Sequence, residues 1–533
     1  MTMRKVIEFL RRIFDWKDGA GNAILARGIF LRALALIYFS AFYSLLFQIK
    51  GLIGPQGILS AENYLSAIRR YYGSNIYWGS YWHAPSLFWF SATSNMMMTI
   101  TWCGIAASLL AFVNLWPRFT FLVCFVCFLS FVSAAGDFSS YQSDGMLLEA
   151  GFLALFFAPP GIWPGLAAHH PPSWASLWLL RWEWFRIYFE SGLVKELSGD
   201  PQWRNFTAMD EYYQNSPLPS WIGWYVEHLP HWFHVGSAVA TLAMELVIVF
   251  LLFFPPRLRL ICFCIVTPWE IGVILTGNYA FLNYIVLALG FLLVDDVYWR
   301  RAFPPRFRLP PQATSQPASE PASHPLRAGL HGASVLVSAV FLAWIGYATT
   351  AELVNLVAPR LLPLAPVAAL EPFRIANQYG LFAVMTRGRY EIEFQGSNDR
   401  QNWRPYIFRN KPQLLNEAPG IYAPYQPRFD WNLWFASLGD WQQNDIVPIT
   451  ETRLLTNDRD VLMLFRSSPF GDAAPRTVRA VLYQYWFTSL EEKRRTGNWW
   501  RRELLGVYAP ALERTADGHY QIIAPPDDLP PHD

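Results

Sequence analysis

Long apolar runs constrain this chain more than any other feature. Residues 29–47, 87–116, 119–135, 234–254, 260–276, 279–294 and 333–353 each carry at most one Asp, Glu, Lys or Arg. A hydrocarbon core needs about 20 mostly apolar residues per helix, so runs of this kind are read as membrane spans. Two weaker stretches join them: 146–160 is short, and 176–194 holds several charges. Together they predict a polytopic α-helical membrane protein with roughly nine transmembrane helices.

The distribution of Lys and Arg predicts the threading. With the N-terminus inside, segments 1–27, 117–118, 161–172, 255–259 and 295–330 are inner, and most basic residues outside 371–533 fall in them. Segments 48–86, 136–144, 195–231 and 277–278 are outer and poorer in basic residues, Arg69 and Arg70 being the main exception. Nothing in residues 1–16 resembles an apolar core followed by a small-residue cleavage site. Val6, Phe9, Leu10, Ile13 and Phe14 instead share one helical face, so 1–28 is expected to be an inner amphipathic segment, lying on the membrane or packed.

The remaining divisions follow from composition. Residues 29–300 form the membrane bundle, 301–330 a Pro/Ala-rich inner linker, and 331–358 the last span. After that, YEIEF at 390–394, the turn GSND at 396–399 and WRPYIF at 403–408 predict a β-hairpin. Strands are also expected at 461–465 and 478–487, and a short helix at 430–438. Residues 371–533 therefore read as an outer, β-rich soluble domain ending in a disordered 524–533. Charged residues make up 15% of the chain against the usual figure of about 25%, which excludes a disordered or coiled-coil protein. The net charge of +2 shows none of the basic character that nucleic-acid binding usually leaves, so no nucleic-acid partner is expected. The five cysteines all lie in apolar runs and imply no disulfide framework. The histidines show no convincing metal-ligand spacing, His231 and His234 included, so no metal is expected.

Ionisable residues at membrane depth are costly and point to function or to packing. Glu183, Arg186 and Glu190, spaced i, i+3 and i+7, share a helix face. They form either an internal network that fixes helix packing or the wall of a ligand site. Lys195 follows at the outer end of the same helix, where it either snorkels to the headgroups or turns inward as a base. Asp137, Asp144, Glu149 and Glu270 lie near predicted outer ends and complete an intramembrane polar cluster, although Asp144 is expected to cap a helix.

Several stretches together resemble the lipase maturation factor family. They are GLIGPQGIL at 51–59, DFSSYQSDGMLLEAGFLALFFAP at 137–159 and RWEWFRIYFESGLVKELSGDPQW at 181–203. FQGSNDRQNWRPYIFR at 394–409 and YAPYQPRFDWNLWFASLG at 422–439 complete the set. The resemblance implies a membrane-embedded chaperone that assists folding and assembly of exported lipases, in the endoplasmic reticulum of animals. A bacterial chain of this kind would sit in the inner membrane with its C-terminal domain in the periplasm. The outer aromatics Trp403, Tyr425, Trp431 and Trp434, with Tyr406 and Tyr422, would then bind clients or pack the domain's own core. Through its membrane region the family is distantly similar to vitamin K-dependent carboxylases, and SGLVKEL at 191–197 places Lys195 where that group carries its catalytic base. The alternative function is therefore a membrane enzyme using a quinone or lipid cosubstrate. A transporter ranks below both, because no matching broken helices recur in two halves.

Overall fold

In the computed structural model, residues 12–73, 77–139, 141–302, 325–515 and 517–530 are described. The amphipathic face expected over 1–14 and the Pro/Ala-rich linker lie mostly outside them. The bundle consists of α1 (Ile24–Leu46), α2 (Ser94–Phe112), α3 (Pro117–Val132), α4 (Gln142–Phe157) and α5 (Trp174–Ser198). It continues with α6 (His231–Leu246), α7 (Pro256–Thr276), α8 (Leu282–Gly290) and α9 (Pro325–Val357). The last helix starts at Pro325, six residues before the position read from composition.

Among the described residues, five helical segments are long and apolar enough to cross a bilayer, each starting or lying within α1, α2, α6, α7 or α9. A sixth is reached if Leu282–Leu293 and Asp296–Ala302, which meet at 104°, count as one span. Nine is not reached, for physical reasons specific to each remainder. With 16 residues each, α3 and α4 rise only about 24 Å at about 1.5 Å per residue. By contrast α5 is 25 residues long, but Arg181, Glu183, Arg186, Glu190, Lys195 and Glu196 interrupt it. Those charges are tolerated because α5 packs against α4, α6, α8 and α9 and buries nearly all of them.

The connecting segments gather into two groups at opposite ends. At one end Asp296 substitutes for a missing N-cap, its carboxylate accepting from the N–H groups of Ile24, Leu25 and Ala26 at 2.9, 2.9 and 3.3 Å. There Arg27 donates to the carbonyls of Leu166 and His170 at 2.7 and 2.6 Å, and Arg259 reaches Asp295 at 2.9 Å. At the other end the segments predicted to be outer meet the C-terminal region. The Nε of Arg453 donates to the carbonyl of Gly57 at 3.2 Å, Asn278 Nδ2 to that of Gly420 at 2.9 Å, and His228 bonds the Thr488 carbonyl.

That region is built on an antiparallel five-stranded sheet of order β2-β1-β5-β6-β7, comprising β1 (Arg389–Ser397), β2 (Arg404–Pro405), β5 (Thr477–Phe487), β6 (Trp500–Arg514) and β7 (Tyr520–Ala524). A small pair, β3 (Ile407–Phe408) and β4 (Phe465–Ser467), lies beside it, and α10 (Arg428–Ala436) and α11 (Ile446–Leu455) cover it. The expected hairpin forms, with Gln395 opposite Pro405. The strand expected at 461–465 does not. Asp458 caps a helical turn at Arg459–Leu462 by accepting from the N–H groups of Asp460 and Val461, which delays the strand to Phe465. The tail expected to be disordered is docked up to residue 530, since Asp527 exchanges hydrogen bonds of 2.9 and 2.7 Å with the backbone of Val507.

Candidate functional site

The charged face of α5 forms an ion-pair network, but its partners come from elsewhere in the chain. Arg186 pairs with Glu149 of α4, both fully buried, and donates to the Asn377 carbonyl at 2.6 Å. Glu149 also accepts from the Tyr379 hydroxyl at 2.9 Å and Asn377 Nδ2 at 3.1 Å. The Glu190 carboxylate accepts from the Tyr379 N–H at 2.6 Å. Glu183, wholly buried, makes no hydrogen bond among the described residues.

Asn377 and Tyr379 belong to a strap, residues 375–389, that enters the bundle before the sheet begins. Gln142 and Gly380 bond reciprocally at 3.2 and 3.0 Å. Met385 N–H donates to Asp200 at 2.8 Å, Trp203 Nε1 to the Phe382 carbonyl at 2.9 Å, and Asn215 to the Thr386 carbonyl at 2.9 Å. Arg389 closes the strap on the carbonyls of Gln214 and Ser216.

Lys195 turns inward. Its Nζ lies 2.8 Å from each Glu245 oxygen, 3.0 Å from the Leu381 carbonyl and 3.3 Å from that of Ser191, with the Trp203 ring 5.2 Å away. This geometry leaves the Lys195 nitrogen engaged by a carboxylate and two carbonyls. The pair lines a cavity of about 430 Å³ whose wall includes Tyr188, Tyr212, Trp269, Glu270 and Asn283. Glu270 accepts from the Tyr188 hydroxyl at 2.6 Å. Of the polar cluster read from the sequence, Glu270 and Lys195 thus share this cavity, Glu149, Arg186 and Glu190 are joined separately through Asn377 and Tyr379, and Glu183 stands buried outside both.

Asp144 is not a cap. Tyr141 holds the N-cap position of α4, and Asp144 sits inside the helix, where Arg428 of α10 grips both its oxygens at 2.8 and 2.7 Å. Asp137 lines a second cavity, about 670 Å³, between the bundle and the C-terminal region. Trp431 and Trp434 line it too, mostly buried, with Phe435 and Val384 exposed at its rim. Elsewhere, Trp403 stacks on Arg479 at 4.1 Å, the Tyr425 hydroxyl accepts from Gln48 at 3.1 Å, and Tyr406 is in the domain core. His231 bonds Asp210, and His234 bonds the Leu229 carbonyl. All five cysteines are free.

A sequence profile described as the lipase maturation factor transmembrane domain matches residues 25–301, and one described as the lipase maturation factor C-terminal domain matches 375–510. The chain belongs to the lipase maturation factor family. Lipase maturation factor 1 of Bos taurus is 30% identical, covering 93% of this chain and 90% of its own length. Lipase maturation factor 2 of Gallus gallus is 32% identical over 92% and 82%, and lipase maturation factor 1 of Homo sapiens 29% over 92% and 88%. No solved structure matches. Like its family, the chain is an integral membrane protein. The carboxylase alternative draws no support from these comparisons. Each lipase maturation factor profile carries half of the geometry: α4 and α5 lie in the first, the strap and Arg428 in the second.

Sequence reasoning missed Asn377, Tyr379, Leu381 and Arg428. Arg428, a guanidinium in the aromatic run PRFDWNLW, left a signal, because a charge there needs a buried partner. The strap acts mostly through backbone groups and left none.

Proposed function

We propose that this chain assists the folding and assembly of exported lipases, holding a client segment in the cleft between the bundle and the C-terminal region. The cleft carries the reading: it is large, mostly apolar, and edged by exposed Val384 and Phe435 over Trp431 and Trp434. An unfinished lipase exposes apolar segments that need such a surface until they pack. In this reading the seven apolar runs and the two weaker stretches all cross the membrane, the short α3 and α4 and the charged α5 sheltered by neighbouring helices, and the C-terminal region occupies the outer compartment, periplasmic or lumenal according to the host. The sorting of loops into two end groups and the concentration of basic residues on one of them support it.

Deleting 371–533 is a poor test, because the strap supplies partners to Arg186, Glu190 and Lys195. Charging the rim is cleaner. With a secreted lipase co-expressed, Val384→Asp and Phe435→Asp are expected to lower the lipase's activity per unit of lipase protein about tenfold, a loss of 1.4 kcal/mol in client affinity. The level and melting temperature of the chain itself are expected to hold. Full lipase activity with both substitutions would remove the cleft from the proposal.

A further inference from the structure

We propose that the cavity beside Lys195 binds one neutral, hydroxyl-bearing lipid, its head inside and its chain leaving sideways into the bilayer. The lateral path comes from the helices. α6 packs on α5 and α7 on α8; the stretch 248–253 that continues the α6 span packs on α7, while α6 itself is not among α7's main neighbours, so the two splay apart away from that end. Gly236 and Gly272 face the space between them, and a Cβ built at either meets no atom within 4 Å. The outer faces of both helices are apolar and exposed, with Val239 and Val247 on one side and Ile271 and Leu275 on the other. The gap therefore opens between two lipid-facing surfaces.

The head chemistry comes from the inner wall. Lys195 is already neutralised by Glu245, and Glu270 adds a second carboxyl, so nothing remains to balance an anionic headgroup. Asn283 lines the same wall, and its buried Oδ1 has no hydrogen-bond partner among the described residues. A buried acceptor without a donor is costly, and a hydroxyl supplies one. The Tyr279 hydroxyl on the same cavity is likewise buried without a partner among the described residues, so a hydroxyl head, which donates to Asn283 and accepts from Tyr279, answers both, whereas a quinone carbonyl answers only Tyr279. The volume, about 430 Å³, falls within the size range of small-molecule sites. The far side is closed by Phe382, whose backbone takes the left-handed φ of 56° and whose ring meets Tyr279 at 5.3 Å and Tyr212 at 5.7 Å. Phe382, Tyr212 and Tyr279 line the client cleft as well, so the two cavities adjoin; the lipid proposal stands on Asn283 and the gap between α6 and α7, not on the chaperone reading.

The test uses the full chain in phosphatidylcholine nanodiscs and a diacylglycerol carrying a photoreactive acyl chain. Labelling is expected to concentrate on peptides of α6 and α7 that line the gap. Unlabelled diacylglycerol is expected to compete. Its O-methylated analogue, phosphatidylglycerol and a quinone of equal chain length are expected to compete at least about tenfold less well. Gly272→Leu fills open space and is expected to keep the melting temperature while cutting labelling about tenfold; Asn283→Leu is expected to erase the preference for the hydroxyl. Labelling spread evenly over the lipid-facing helices, unchanged labelling in Gly272→Leu, or equal competition by the O-methylated lipid would each overturn the proposal.

Discussion

Removing one member of a buried ion pair strands the other charge, at a cost of about 3–5 kcal/mol. Lys195→Met is therefore expected to lower the melting temperature of the full chain, because Glu245 is left buried opposite a thioether. Lys195→Met combined with Glu245→Leu is expected to recover most of that loss. Thermal melting of the single and double variants in detergent checks this; a double variant no more stable than the single would mean that Lys195 holds the fold through the Leu381 carbonyl instead. Glu451 of α11, in the C-terminal region, is a different case. Burial pushes its carboxyl well above the ordinary value of 4.5, and neither of its oxygens has a hydrogen-bond partner among the described residues. A raised folded-state value favours the fold fully below the unfolded value and loses that contribution as pH rises toward the folded one. Glu451→Gln is accordingly expected to slow amide exchange in α11 and β5 relative to the parent, by a margin that widens from pH 5 to pH 8. A margin that narrows over that range would contradict the assignment.

At the scale of elements, the close approaches are fixed by glycines whose surroundings differ sharply. A Cβ on Gly104 of α2 would lie 2.4 Å from the Phe42 ring of α1, and one on Gly151 of α4 would meet the Tyr38 hydroxyl at 1.9 Å. Small residues at such crossings let membrane helices pack closely. Gly104→Val and Gly151→Val are expected to destabilise by about 1–3 kcal/mol through overpacking. Gly236→Ala and Gly272→Ala, facing open space, are expected to be neutral or to stabilise by up to about 1 kcal/mol through helix propensity. Melting temperatures of the four variants measured side by side test the contrast. Such elements were legible in the sequence to the extent that their apolar residues act alone: α1, α2, α6, α7 and α9 follow from runs that no soluble fold accommodates. The charged helix α5 was legible as a feature needing shelter, but not the identity of what shelters it. Glu149 and Glu190 find their partners 37 and about 190 positions away in the chain, separations at which neither helical period nor spacing carries information.

For the whole molecule, the strap decides how the two halves relate. Residues 375–389 reach the sheet only after bonding to α4, α5 and the loop at 200–216, so the C-terminal region is seated on the bundle by buried polar contacts. Composition separates the halves at a boundary near 371, and the physical boundary is blurred because backbone carbonyls, which every sequence carries, make most of the connection. The same seating has a consequence for topology. If the end bearing the C-terminal region is outer, every loop contacting it is outer too, and the opposite loops, including 161–172, are inner. In a chain freed of its five cysteines and expressed in the inner membrane of a bacterium, Ile522→Cys, 65% exposed on β7, is expected to react with a maleimide that does not cross that membrane in intact cells. Trp163→Cys, 70% exposed at the opposite end, is expected to react only after permeabilisation. The reverse pattern would put the cleft in the cytoplasm, where no exported lipase folds, and would leave the client proposal without a compartment in which to act.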